Sequence, residues 1–381
     1  MSDDLPTIRT RPSSDANPVE PPVVAETPLS NLPENDGFFY GTNPDLLAEF
    51  PFLSEDLPED VPDPASNVPD LSGDDDAKAS LCKRCGGKVG ADGYCLGCGY
   101  EYNSREHVIA DGGTWFGGVS DRGLVHSKNE DFLSISGDDE AGSFACLVVC
   151  DGVSMSSRSD IASSAAAQAA RQELETHGRS DTESALRLAL DAANSAVNTL
   201  ISPDEMYPPS CTLVAAVVLN NEAWVTSVGD SRAYWIPDQG EALRITTDHS
   251  LATYAISSGM DPAEAENSPG AHTLTAWIGP DSPVTRTDIF HLSVKQPGWL
   301  MLCSDGLWNY ASAPQALAEL VWETSSSQQQ GDHLVSGQNS GEAVQAPVDP
   351  TKLASDLVDW ANAQGGHDNI TVVMARLIDE G

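Results

Sequence analysis

Three separated stretches of the chain tie an apolar run to an aspartate at its end. Leu147-Val-Val-Cys-Asp151-Gly152 and Leu300-Met-Leu-Cys-Ser-Asp305-Gly306 run from apolar residues into Asp-Gly. Gly365-Gly-His-Asp368-Asn369-Ile-Thr-Val-Val-Met374 is the reverse, a glycine turn and an aspartate leading into an apolar run. A fourth, Asn129-Glu130-Asp131-Phe-Leu133, sets paired acids at the start of a run. Short runs of Val, Ile, Leu and Cys bounded by Gly, Asp or Asn read as buried strands. A carboxylate at the end of such a strand is held rigidly at the sheet edge, and the adjoining glycine lets the backbone approach a ligand. One Asp-Gly is usually a plain turn; three attached to apolar strands point to one end of a sheet that gathers acids. Four or five carboxylates in one place repel unless cations lie among them. Hard oxygen ligands without His or Cys select Mg or Mn.

The remaining pattern extends this frame. Phe144–Cys150, Thr212–Leu219, Ala223–Ser227, Ala233–Ile236, Trp299–Cys303 and Ile370–Leu377 read as strands. Asp160 to Thr176, Asp181 to Leu200, Ala313–Glu323 and Lys352–Ala363 read as helices. The polar stretch Thr324–Pro350 reads as a flexible insertion. This order does not suit alternating βαβ units; it suits an α+β fold, with antiparallel sheets and helices packed outside. Cys146, Cys150, Cys211 and Cys303 fall in apolar runs and read as buried thiols.

Charge and length bound the rest. The 381 residues hold 58 acidic and 19 basic side chains, a net charge of −39. So acidic a surface repels phosphate backbones and anionic headgroups, which argues against nucleic-acid or membrane binding as the main task. Residues 1–80 carry 18 acidic and 3 basic residues and 13 of the 25 prolines, and read as a disordered acidic tail. One patch in it, residues 37–53, concentrates five aromatics and reads as a docking motif or as local collapse without function. The start, Met1-Ser-Asp-Asp-Leu5, has neither the basic residues nor the apolar stretch of a signal peptide, so the expected location is cytoplasmic.

Residues 81–105 form a separate cysteine module. Cys82-Lys-Arg-Cys85 and Cys95-Leu-Gly-Cys98 are two knuckles, each followed by glycine. Two such turns place four thiolates around a tetrahedral metal, which makes this a structural zinc ribbon, with iron on the same ligand set as the lesser alternative. Four closed ligands leave no place for substrate, so the expected role is docking or scaffolding.

Taken together, the strand-end motifs resemble the metal-dependent protein serine/threonine phosphatases of type 2C, in their bacterial form. The matching pieces stand in family order: Arg122-Gly-Leu-Val-His-Ser-Lys-Asn-Glu-Asp131, Val149-Cys-Asp-Gly152, Cys211-Thr-Leu-Val-Ala-Ala216, Ser227-Val-Gly-Asp-Ser-Arg-Ala233, Thr247-Asp-His-Ser250, Cys303-Ser-Asp-Gly-Leu-Trp308 and Gly366-His-Asp-Asn-Ile-Thr-Val372. The resemblance implies a four-layer αββα sandwich over residues 112–379, two antiparallel sheets flanked by helices, with a dinuclear Mg/Mn site at one end. Carried over by position, Asp151 bridges the metals, the Gly152 carbonyl binds one, Asp305 and Asp368 hold the other, and Glu130 and Asp131 orient metal-bound waters. Asn369 supports the last ligand. A metal-activated water then attacks phosphorus in line, with no phosphoenzyme. The implied partners are phosphorylated proteins and a cognate serine/threonine kinase.

The chain departs from the family pattern at three points. His126 stands where an arginine usually grips the phosphate, and imidazolium is a weaker, pH-dependent donor; Arg122 or Lys128 could take its place. Val153 and Ser154-Met155 replace the usual x-Gly-Gly, so position 153 offers no general acid. Asp204 is out of register for a third metal. These departures leave an alternative, a catalytically silent phosphoprotein-binding module docked through its zinc ribbon. Asp230 and Arg232 read as a structural turn, paired with each other. His249 reads as a loop-fixing residue, and Leu251–Gly279 as a flap. No Gly-x-Ser-x-Gly elbow or Cys-x5-Arg loop offers a nucleophile.

Overall fold

The computed structural model describes residues 7–10, 88, 96–97, 106–203, 205–280, 282, 287–335 and 347–378. The chain divides into two units, residues 1–39 with 105–381, and residues 40–104. In the second unit only Lys88, Leu96 and Gly97 are described, and the Leu96 amide donates to the Lys88 carbonyl at 2.9 Å. The four ligands expected for zinc, Cys82, Cys85, Cys95 and Cys98, lie outside the described residues, as do residues 37–53.

The first unit is built from twelve strands and seven helices among its described residues. In chain order they are β1 (Thr7–Thr10), β2 (His107–Asp111), β3 (Phe116–Asp121), β4 (Phe132–Gly137), β5 (Phe144–Cys150), α1 (Ser159–His177), α2 (Thr182–Asn198), β6 (Leu213–Leu219), β7 (Glu222–Val228), β8 (Arg232–Pro237) and β9 (Leu243–Arg244). There follow α3 (Leu251–Ser257), α4 (Pro262–Glu266), β10 (Ile289–Ser293), β11 (Gly298–Cys303), α5 (Asp305–Trp308), α6 (Pro314–Val335), α7 (Pro350–Gln364) and β12 (Ile370–Leu377). Two six-stranded sheets result, ordered β1-β10-β7-β6-β5-β4 and β2-β3-β12-β11-β8-β9, and every pairing is antiparallel.

Alternation along the strands explains the layering. In β5, Ala145, Leu147 and Val149 enter the core between the sheets, with Val214, Leu300 and Val373. Cys146, Val148 and Cys150 face the other way, onto α1 and α2. The second sheet likewise packs Met301, Val372 and Met374 against Leu353, Leu357 and Val358 of α7. Central strands are therefore buried on both faces, which is why they read as unbroken apolar runs. Local chemistry sets the helix starts. The Asp181 side chain accepts the Ser184 amide to cap α2, and Asp349 accepts Thr351 and Lys352 ahead of α7, with Pro350 at its first position.

Three features differ from the sequence expectations. Helix α6 continues from Glu323 to Val335, into the stretch expected to be flexible. Thr324, Ser326 and Ser327 return their hydroxyls to carbonyls four residues back, and Gln328 donates to Asp356 of α7 at 3.0 Å, so the polar residues are absorbed into helix. Thr7–Thr10, inside the acidic tail, form β1 and pair along β10 from Thr7↔Ser293 to Thr10↔Phe290. A tetrapeptide with three β-branched residues pairs with the edge of the sheet there. Finally, β2 begins at His107, ahead of position 112. Its neighbour β3 hides behind Gly117-Gly118, where any Cβ would overlap Thr351 or Val372.

Candidate active site

Asp151 follows β5, Glu130 and Asp131 precede β4, Asp305 opens α5 just after β11, and Asp368 precedes β12. β4 and β5 are neighbours in one sheet, β11 and β12 in the other. Hydrogen bonds lock the same end of all four. Gly152 N–H donates to the Glu130 carbonyl at 3.1 Å, Thr212 N–H to the Asp151 carbonyl at 2.7 Å, and Ser304 N–H to the Thr371 carbonyl at 3.1 Å. The Ser304 hydroxyl crosses between sheets to Asp131 Oδ2 at 2.6 Å. The two Asp-Gly glycines are demanded by space. A Cβ on Gly152 would meet the Glu130 carbonyl and Ser159, and one on Gly306 would overlap the Asn369 carbonyl.

The acids act on one another. Asp151 is pushed well above the ordinary carboxylate range, first by burial and then by Asp131, Asp305, Asp368 and Asp230. Asp305 moves the same way, through burial and then Asp368, Asp230 and Asp131. Asp131 rises to about 7 because burial outweighs the hydroxyls of Ser304 and Thr371. Asp230 also rises to about 7, by burial and the nearby Asp248, against the pull of Arg232. Asp131 Oδ1 and Asp305 Oδ1 are buried with no hydrogen-bond donor. Among the described residues, no group of three or more His, Cys, Asp or Glu side chains is arranged to hold a metal ion. Burial and the neighbouring carboxylates raise Asp131, Asp151 and Asp305 together, and the Oδ1 atoms of Asp131 and Asp305 have no donor within the protein. A set of hard oxygen acceptors without thiol or imidazole fits Mg or Mn.

Supporting residues are tied tightly around this cluster. Asn369 Nδ2 donates to the carbonyls of Arg122 (2.7 Å) and Lys128 (2.9 Å), and its Oδ1 accepts the Glu130 amide at 2.8 Å. The Glu130 carboxylate accepts the Ser159 hydroxyl at 2.6 Å. His126 reaches the site, with Nε2 3.4 Å from Asp368 Oδ1. Arg122 instead turns to Glu106 at 3.9 Å, and Lys128 is exposed. In place of the expected glycines, Ser156 fastens the loop after Gly152 by donating its hydroxyl to the Val153 carbonyl at 2.8 Å.

Arg232 does not pair with Asp230, as the sequence had suggested. Its guanidinium forks onto Asp248, with Nη2 to Oδ2 at 2.6 Å, and lies 3.4 Å above the Trp308 ring. Trp308 in turn donates its indole N–H to the Asp230 carbonyl at 3.0 Å. His249 fixes a loop, with the Gly229 amide donating to its Nδ1 at 3.2 Å. The expected flap contains α3 and α4. All four thiols of this unit are buried, and burial pushes Cys146 up to about 12, so none is a nucleophile. The sequence reading missed the roles of the buried polar residues Ser120, Asn129, Ser304 and Thr371; Ser120 and Thr371 are hydroxyls within strands, and Asn129 and Ser304 flank β4 and β11.

The chain is similar to known proteins over most of its described length. The serine/threonine phosphatase stp of Listeria welshimeri is 29% identical over 265 residues, covering 68% of this chain and 93% of that protein. The crystal structure of the Mycobacterium tuberculosis serine/threonine phosphatase PstP/Ppp superposes with a TM-score of 0.53 at 25% identity, covering 71% of this chain and all of the other. A structure of the PstP catalytic domain in complex with two manganese ions superposes at 0.52 and 25% identity, over 69% of this chain and 98% of that one. The Protein phosphatase 2C family model matches residues 125–336, and the chain belongs to that family.

Proposed function

We propose that this protein is a serine/threonine phosphatase that hydrolyses phosphoserine and phosphothreonine in proteins. The observation that carries the reading is the placement of Asp131, Asp151, Asp305 and Asp368 at the ends of paired strands, with Ser304 joining the two sheets through Asp131, in a chain of this family. Asp151, Asp305, Asp368 and the Gly152 carbonyl would hold two Mg or Mn ions. When bound, the pair supplies an activated water and positive charge for the phosphoryl oxygens.

The protein side does the positioning. Glu130 and Asp131 accept hydrogen bonds from the attacking water and fix its direction. Ser159 and Asn369 hold Glu130 in place for this. His126 donates one N–H to a phosphate oxygen from beside Asp368. The new P–O bond forms opposite the breaking P–O(Ser) bond, and the leaving serine oxygen takes its proton from solvent, since Val153 offers none.

A protein kinase of serine/threonine specificity must supply such substrates. The C-x2-C pairs Cys82/Cys85 and Cys95/Cys98 support a structural zinc, and metal analysis of the purified chain would count one zinc per protein. No described helix is long and apolar enough to cross a membrane, and with a net charge of −39 we place the protein in the cytoplasm. The test of the main reading is phosphate release from a phosphothreonine peptide by metal-free protein on addition of manganese. Binding of the peptide without release would establish the silent module instead.

A further inference from the structure

Asp131 stands at the end of a chain of buried hydrogen bonds that spans both sheets. Asn129 Nδ2 is 2.9 Å from Ser120 Oγ, Ser120 Oγ is 2.8 Å from Thr371 Oγ1, and Thr371 Oγ1 is 2.7 Å from Asp131 Oδ2. Ser304 Oγ reaches the same Oδ2 at 2.6 Å and accepts the Thr371 amide at 2.9 Å. All five side chains are buried, at most 6% exposed.

Counting hydrogens gives this chain a direction. Asn129 Oδ1 accepts the Asp131 amide at 3.2 Å, which identifies Nδ2 as the group facing Ser120. Nδ2 can only donate. The Thr371 hydroxyl is placed to donate to both Ser120 Oγ and Asp131 Oδ2, and its single hydrogen goes to the carboxylate, the stronger acceptor. Giving that hydrogen to Ser120 instead would strip Asp131 of one bond. Ser304 supplies the second donor. Oδ2 thus receives two hydroxyls while Oδ1 receives none. The carboxylate plane is fixed, and its one free acceptor is left for the acid cluster.

We propose that Thr371 and Ser304, backed by Ser120 and Asn129, are positioning residues that aim Asp131 Oδ1 at the attacking water. This rests on the phosphatase reading above and assigns it four residues beyond the carboxylates.

The experiment compares Thr371→Val, Thr371→Ser, Ser120→Ala and Ser304→Ala in the full chain. It measures kcat and KM on a phosphothreonine peptide with saturating manganese, manganese affinity by calorimetry, and thermal stability. Thr371→Val and Ser120→Ala each remove two hydrogen bonds, but only the first takes a donor from Asp131. We expect kcat to fall about 10- to 30-fold in Thr371→Val with KM within about twofold, and only about threefold in Ser120→Ala. Thr371→Ser should restore kcat, and manganese affinity should weaken more in Thr371→Val than in Ser120→Ala. If Thr371→Val does not fold, Ser304→Ala, which removes the other Oδ2 donor, carries the same expectation. Equal losses in the donor-removing variant and Ser120→Ala, or a folded Thr371→Ser as slow as Thr371→Val, overturn the proposal. If the wild type shows no manganese-dependent hydrolysis, the phosphatase reading falls. The order of manganese affinities then decides the relay alone, a weaker Thr371→Val supporting it and equality refuting it.

Discussion

Asn369 and Glu130, 239 residues apart, meet through a 2.8 Å hydrogen bond from the Glu130 amide to the Asn369 side-chain oxygen. The same carboxamide gives both hydrogens to the Arg122 and Lys128 carbonyls. One buried side chain therefore clamps the 122–131 loop, which carries His126, Glu130 and Asp131, against the turn that carries Asp368. Asn369→Ala leaves these backbone groups unpaired, and should lower stability by roughly 2–3 kcal/mol. It should also lower kcat at least tenfold, because the loop and Asp368 lose their shared anchor. Urea unfolding and phosphate release measure the two effects; loss of stability with unchanged kcat would show that the clamp does not serve the site.

The pH dependence of the metal-free protein follows from the acids. The Asp131 pKa rises from 3.8 unfolded to about 7 folded. A raised carboxyl contributes stability that is complete below the unfolded value and lost as pH climbs through the folded one. Asp151 and Asp305 shift in the same direction. Metal-free protein should therefore melt several degrees lower at pH 8 than at pH 5.5, and manganese should recover the loss at pH 8. A melting temperature that is flat or rises over this range speaks against the clustering of the acids.

Arg232 is a buried cation with an acid at its fork and an aromatic face beneath it. Its side chain is 4% exposed and that of Asp248 7%. Asp248→Ala strands the guanidinium and should destabilise by roughly 3–5 kcal/mol. The turn around Asp230 should loosen with it, because Arg232 braces Trp308, which holds the Asp230 carbonyl. Calorimetric melting compares this variant with Asp238→Ala, whose exposed pairing with Arg376 should contribute under about 1 kcal/mol.

In the proposed function His126 would offer the phosphate a single N–H, where a guanidinium would offer a fork. His126→Arg should lower KM for a phosphothreonine peptide about three- to tenfold. His126→Ala should raise it by a similar factor. KM values unmoved by both substitutions would remove His126 from the substrate site.

Much of this architecture was legible because strands buried on both faces must be apolar throughout. Phe144–Cys150 and Ile370–Leu377 appear in the sequence with their observed ends. The placement of the acids was legible for a related reason, since Asp151, Asp305 and Asp368 each adjoin an apolar run in the sequence and lie at the ends of β5, β11 and β12. What escaped was concealed by context. Gly117-Gly118 looks like a loop, yet forms the middle of β3 because α7 and β12 press too close for a Cβ. Thr324–Gln328 looks like linker, yet is helical because α7 supplies a partner for Gln328. Ser120 and Thr371 are ordinary hydroxyl residues until the fold brings them together, since a hydrogen-bond chain across four segments has no signature along the sequence.

In the proposed function, acids far apart in the sequence share divalent ions to cleave a phosphoester. The most direct measurement titrates manganese into metal-free wild type and Asp305→Asn, following heat of binding and phosphate release from one phosphothreonine peptide. The account predicts that wild type binds manganese and hydrolyses the peptide, and that Asp305→Asn folds, binds manganese more weakly and loses at least about 100-fold in kcat. Equal manganese binding and equal rates in the two proteins would contradict it.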